Sequence, residues 1–196
     1  MLKRLCLFMF IGLCSFRVAE LPIGARLPKP DVKMKDISGK EISLKEAAMK
    51  NGLLVMFSCN TCPYVIKNQD RTKAVCRYAL DHQVGVVLVN SNEADRNDGE
   101  SLEAMKAYAS AQGYKWFYLA DEGSVLADAF DARRTPENFL FNGEGKLVYH
   151  GAIDDNPTDA GHVTRKHLRE AIDEMLDGRD ITVKTSRSVG CSIRRM

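Results

Sequence analysis

Net charge is nearly absent from this sequence. A formal +2 from 28 basic and 26 acidic residues leaves no electrostatic footprint on which a nucleic acid would settle. No segment repeats at a fixed period, and none is of low complexity, which excludes solenoids and compositionally disordered tracts. Long apolar runs are missing too. The longest, Leu5–Phe16, is too short to span a membrane as a helix. A glycine-rich phosphate loop is also lacking, because "NGEGK" (142–146) has the composition of a hairpin turn. Cysteine is sparse at six residues, too few to staple a chain of this length as a disulfide-rich miniprotein. Only Cys59 and Cys62 form a Cys-x-x-Cys pair, and His82, His150, His162 and His167 lack ligand-like pairing with the remaining cysteines. A four-ligand zinc site therefore has no second half, and no metal is expected.

What is present suits one compact domain. At 196 residues, 45% hydrophobic and 28% charged, the chain can bury a substantial core but is short for two domains. Its start differs from the rest. Lys3 and Arg4 precede the apolar run in the order of a secretory signal peptide, which places the signal at 1–20 and the domain at 21–196. "IGLC", ending at Cys14, loosely follows a bacterial lipobox, so a lipid anchor at Cys14 is a second reading of the same segment. Either one makes the protein exported, periplasmic or otherwise extracytoplasmic, where disulfides persist.

Along the domain, "VKMKDISGKEI" alternates and turns at Ser38-Gly39, as a small hairpin does. "SLKEAAMKNG" opens with a capping box from Ser43 to Glu46 and predicts a helix stopped by Gly52. "LLVMF" (53–57) and "VGVVLVN" (84–90) read as strands buried on both faces, with a helix between them from Thr61 or Cys62 to about Leu80. A polar loop at 91–99 precedes an amphipathic helix closed by Gly113, then a strand in "KWFYLAD" and a short helix in "SVLADAFDA". "ENFLFN" and "LVYHGAI" form a second hairpin, and "TRKHLREAIDEMLDG" the last helix. The tail, 179–196, has no helical period. Strand–helix alternation followed by a hairpin predicts an α/β fold: a mixed central sheet with helices on both faces and an N-terminal hairpin extension.

Cys59 falls where the strand "LLVMF" passes into a helix, and Cys62 lies one turn further on. Unpaired N–H groups and the helix dipole favour a thiolate there. Pro63 is tolerated in a first turn and supports a helix that begins at the pair. The expectation is a redox centre: Cys59 the exposed nucleophile, Cys62 the more buried resolving thiol, and no cofactor beyond a Cys59–Cys62 disulfide. Two inert structural thiols are the plain alternative. Cys76, in "KAVCRYAL", reads as a small buried hydrophobe. Cys191 has two readings. In one the tail folds back so that Cys191 joins the exchange or pairs with Cys76, and in the other it is a buried tail residue without a redox role. Arg133 and Arg134 either favour a thiolate or an acidic substrate, or are simply solvated. Trp116, Phe117 and Tyr118 are expected in the core, and "DDNPTD" (154–159) as a surface turn.

The motif "CNTCPYV", with "AMKAYASAQGYKWFYLADE", "DARRTPENFLFNGEGKLVYHGAIDDN" and "SVGCSIRR", resembles the thioredoxin-like superfamily in its alkyl-hydroperoxide-reductase/thiol-specific-antioxidant (redoxin) branch. The resemblance runs from about residue 27 to the end. It implies a thioredoxin-like fold in which Thr135-Pro136 is a cis-proline turn facing the Cys pair and aligning an extended substrate segment, with Arg134 beside it. The sequence also departs from the family. Ser58 stands where thioredoxins carry Trp, and Leu53 where they carry a buried acid. Against the peroxiredoxin pattern around Cys62, Cys59 replaces the Thr/Ser and Val55 the proline. The leading expectation is thus a monomeric, exported thiol–disulfide oxidoreductase that exchanges with protein thiols and with an electron donor or acceptor of unknown identity. A thiol peroxidase and a redox-inactive binding module are the alternatives. Ser58, Pro63 and Cys191 are accessory candidates.

Overall fold

The structure, a computed structural model, describes residues 20–196. The signal-peptide and lipid-anchor readings rest on residues up to 19 and lie outside it. The elements in chain order are β1 (Lys33–Asp36), β2 (Glu41–Ser43), α1 (Leu44–Ala47), β3 (Gly52–Phe57), α2 (Pro63–Asp81), β4 (Val84–Asn90), α3 (Leu102–Gln112), β5 (Phe117–Ala120), α4 (Val125–Phe130), β6 (Arg134–Thr135), β7 (Glu137–Asn142), β8 (Leu147–Gly151), α5 (His167–Leu176) and β9 (Cys191–Ser192).

Two strand groups form a mixed sheet. β4 and β5 are parallel, and β1 joins β5, and β2 joins β1, in antiparallel fashion. β7 pairs antiparallel with both β3 and β8. The groups meet where β3 runs beside β4, and the Ser58 N–H donates to the Val89 carbonyl at 2.9 Å. Period-two alternation explains why β3 carries no polar residue. Leu54 and Met56 face one core with Val75, Cys76 and Ala79 of α2 and Leu168 and Ile172 of α5. Leu53, Val55 and Phe57 face the other with Leu126 and Phe130 of α4 and Phe139 and Phe141 of β7. Helices thus cover both faces, which is the thioredoxin-like arrangement.

Most elements lie where the pattern places them, with three adjustments. α1 has its capping box, with the Ser43 side chain accepting from the Glu46 N–H. It ends at Ala47, where Ala48 turns to extended backbone (φ −65°, ψ 141°), and Gly52 instead opens β3 with φ 133°, where a Cβ would overlap the Phe141 carbonyl oxygen. Asp154 is buried against the Arg71 Nη1 at 2.6 Å, so one end of the expected surface turn at 154–159 is anchored inward. The tail forms β9, pairing antiparallel with β6.

Candidate redox site

Phe57 ends β3 and Pro63 begins α2 at its first helical position, with Cys62 as the N-cap. The five residues between must turn the chain from strand to helix, and a buried acid holds them. The Glu100 carboxylate, fully buried, accepts from the Asn60 N–H (3.0 and 3.1 Å), the Thr61 N–H (3.1 Å), the Thr61 hydroxyl (2.7 Å) and the Asn90 amide (2.6 Å). The Asn60 side chain donates to the Gly99 carbonyl at 2.9 Å and accepts from the Tyr118 hydroxyl at 2.9 Å. Burial pushes the Tyr118 hydroxyl well above its usual range, so it remains a donor.

The facing loop is clamped in the same way. The Thr135–Pro136 peptide bond is cis. Glu137 accepts the Arg133 and Arg134 N–H groups through Oε2 (2.7 and 3.0 Å) and contacts His150 Nε2 through Oε1 (2.8 Å). The His150 ring stacks on Phe139 with centroids 4.2 Å apart. These contacts aim Thr135 at the cysteines: its hydroxyl is hydrogen-bonded to Cys59 Sγ at 3.3 Å, and its carbonyl oxygen lies 3.3 Å from Cys62 Sγ.

The sulfurs are paired differently from the sequence expectation. Cys62 is disulfide-bonded to Cys191, with Cα atoms 6.1 Å apart, while Cys59 and Cys76 are free. A Cys59–Cys62 disulfide is therefore not the one present, and Cys76 is not the partner of Cys191. Nor is Cys59 exposed in this state. Its relative exposure is 0% against 3% for Cys62, and it packs in one cluster with Cys62, Val65, Tyr64 and Cys191. Burial pushes the Cys59 thiol above its ordinary range; the Thr135 hydrogen bond opposes this and the Glu100 charge adds to it. Burial pushes Cys76 up as well, and its place in the α2 core fits the small-hydrophobe reading.

The other candidates fall around this centre. Ser58 is buried with its N–H bound to β4, and Pro63 is exposed at the head of α2. Arg134 holds the Gly190 carbonyl at 3.1 Å, and Arg133 pairs with Asp131 at 2.7 Å. Sequence reasoning missed Glu100, Glu137 and His150. Glu100 is a single acid beside a polar loop, some forty positions from the N–H groups it binds. Glu137, next to the proline turn, carried the only usable signal.

The sequence matches the Redoxin family over residues 23–171, and no curated protein matches it. Among solved structures it is similar to an uncharacterized conserved protein from Geobacillus kaustophilus, with 34% identity, TM-score 0.80, and 90% of this chain and 93% of that one covered. It is also similar to a hypothetical protein from Sinorhizobium meliloti 1021, with 33% identity, TM-score 0.82, and coverage of 91% and 97%. A peroxidoxin from Mycobacterium tuberculosis shares the fold at 12% identity and TM-score 0.56, with coverage of 81% and 96%. With its thioredoxin-like architecture and a disulfide beside a free thiol at the strand–helix junction, the chain belongs to the Redoxin family, and its chemistry is in general that of redox-active sulfur.

Proposed function

We propose that the protein is an exported thiol–disulfide oxidoreductase acting on cysteines of other proteins, with Cys59 and Cys62 as the exchanging pair. The observation that carries this reading is the convergence of both sulfurs on Thr135 of the cis-proline turn. The Cys59 thiolate attacks one sulfur of a substrate disulfide, and the other sulfur leaves as a thiolate. The Cys62 thiolate then attacks Cys59 in the mixed disulfide, releasing the second substrate thiol. The substrate gains two electrons and the pair loses them. Run in reverse, the same steps oxidise a substrate dithiol, and the reduction potential of the pair sets the direction.

Two features support a protein substrate. β6 offers an edge beside the sulfurs on which an extended segment can pair, as β9 does. Ile66, one turn into α2, is an apolar side chain 54% exposed near the pair. Peroxide chemistry is served less well, because the Asn60 and Thr61 N–H groups are already bound to Glu100.

The test is insulin disulfide reduction with dithiothreitol by the full chain, compared with Cys59→Ser and Cys62→Ser. Loss of turnover in Cys59→Ser is expected; reduction at the wild-type rate would overturn the assignment. Peroxide consumption without disulfide reduction would replace it with a thiol peroxidase, and turnover in neither assay with a binding module. Export is checked by comparing the mass of the protein recovered outside the cytoplasm with that of the full chain. Recovery only in the cytoplasm at full mass would refute it.

A further inference from the structure

Resting on the exchange reading above, we propose that Cys191 is a third redox cysteine, which takes over Cys62 from Cys59 by intramolecular exchange and so carries oxidation from the buried pair to the tail. Three sulfurs surround one residue. Thr135 holds Cys59 through its hydroxyl, contacts Cys62 through its carbonyl, and pairs in strand register with Cys191. Cys59, Cys62 and Cys191 pack in a single small cluster. A disulfide with a free thiol beside it is arranged for exchange, whereas a purely structural bridge needs no neighbouring thiol.

The tail is built to deliver Cys191. Gly190 lies on the Thr135 backbone so closely that a Cβ would overlap the Thr135 carbonyl oxygen, so glycine is required for this approach. Beyond the cysteine, the Ile193 N–H donates to the Arg133 carbonyl at 2.9 Å and its side chain is buried. The Arg194 N–H donates to Asn92 Oδ1 at 3.0 Å, and Arg195 pairs with Asp128 at 2.7 Å. The strand occupies the β6 edge that a substrate segment would use, so tail and substrate alternate there.

The step conserves electrons. The Cys191 thiolate attacks Cys62 of a Cys59–Cys62 disulfide; the 62–191 bond forms, the 59–62 bond breaks, and Cys59 leaves as a thiolate. Cys59 then takes up a proton in the buried position seen here. Cys191 is partly exposed, so a partner dithiol can reduce the 62–191 bridge, becoming a disulfide as both thiols are restored. By reversibility the relay also runs the other way.

The experiment maps the disulfides of the oxidised full chain. The protein is held at pH 8 without added oxidant, quenched in acid, denatured, alkylated with N-ethylmaleimide and digested. In the wild type, label is expected on Cys59 in some molecules and Cys191 in others, with Cys62 always bridged. Gly190→Ala, which removes no sulfur, should shift the Cys59-to-Cys191 label ratio about tenfold or more toward Cys191 by crowding the tail strand. Label confined to Cys191, with only a 59–62 bridge, would overturn the relay and leave the Cys59–Cys62 reading standing. A 62–191 bridge alone, with Cys59 always labelled, would make it a structural bridge and overturn the relay. If Cys191→Ser then also failed to form a 59–62 bridge, the proposed function itself would fall.

Discussion

Replacing Glu100 with glutamine tests how the Cys loop is held and how the Cys59 thiol is tuned. All of the groups around this carboxylate donate: two backbone N–H groups, the Thr61 hydroxyl and the Asn90 amide. A glutamine offers one oxygen and an NH2, so whichever way it lies, a donor meets a donor and both are left unpaired in the interior. Hydrogen bonds to a charged group contribute about 1.5–3 kcal/mol each, so losing or misaligning two should destabilise Glu100→Gln by about 3–6 kcal/mol. At about 2–4 °C per kcal/mol for a chain of this size, the melting temperature should fall by about 6–24 °C. The substitution also removes a negative charge that raises the Cys59 thiol. Thiolate absorbance at 240 nm, taken as the difference from Cys59→Ser, should therefore titrate at lower pH in Glu100→Gln than in the parent. The shift should be partial, because burial is the larger cause. An unchanged melting temperature together with a Cys59 midpoint that stays or rises would refute the reasoning.

Stability should fall as pH rises above the ordinary thiol range. Burial raises Cys59 and Cys76, so the folded state keeps protons that the unfolded chain gives up, and the slope of unfolding free energy with pH is negative. Urea denaturation between pH 7 and 10 checks this, and a midpoint that increases with pH would contradict it. Asp154→Ala leaves Arg71, whose side chain is 17% exposed, without its carboxylate partner and should destabilise by about 3 kcal/mol, read from the urea midpoint at constant m. Glu137→Ala frees the Arg133 and Arg134 N–H groups and should slow insulin reduction while stability falls by about 2–3 kcal/mol. Unaltered turnover would show that the clamp does not position Thr135.

Much of the fold could be read along the chain because its signals are local. The apolar runs of β3 and β4, the Ser43 capping box, Pro63 at the head of α2 and the glycine after α3 each depend on neighbours within a turn or a strand. The Cys pair was legible for the same reason: two thiols at a strand–helix junction form a local feature.

What the sequence by itself determined was the order of elements and the two-sided burial of the central strands. Only the tertiary structure decided which sulfurs are joined and what holds them. The 62–191 bridge spans 129 positions, and Glu100 reaches its N–H partners across about forty. No spacing rule encodes such pairings, because they exist only once the sheet has brought β6, the tail and the head of α2 to one place. Tertiary burial also turned Cys59 from an expected surface nucleophile into a buried, protonated thiol, since its ionisation depends on what covers it rather than on its neighbours in the chain.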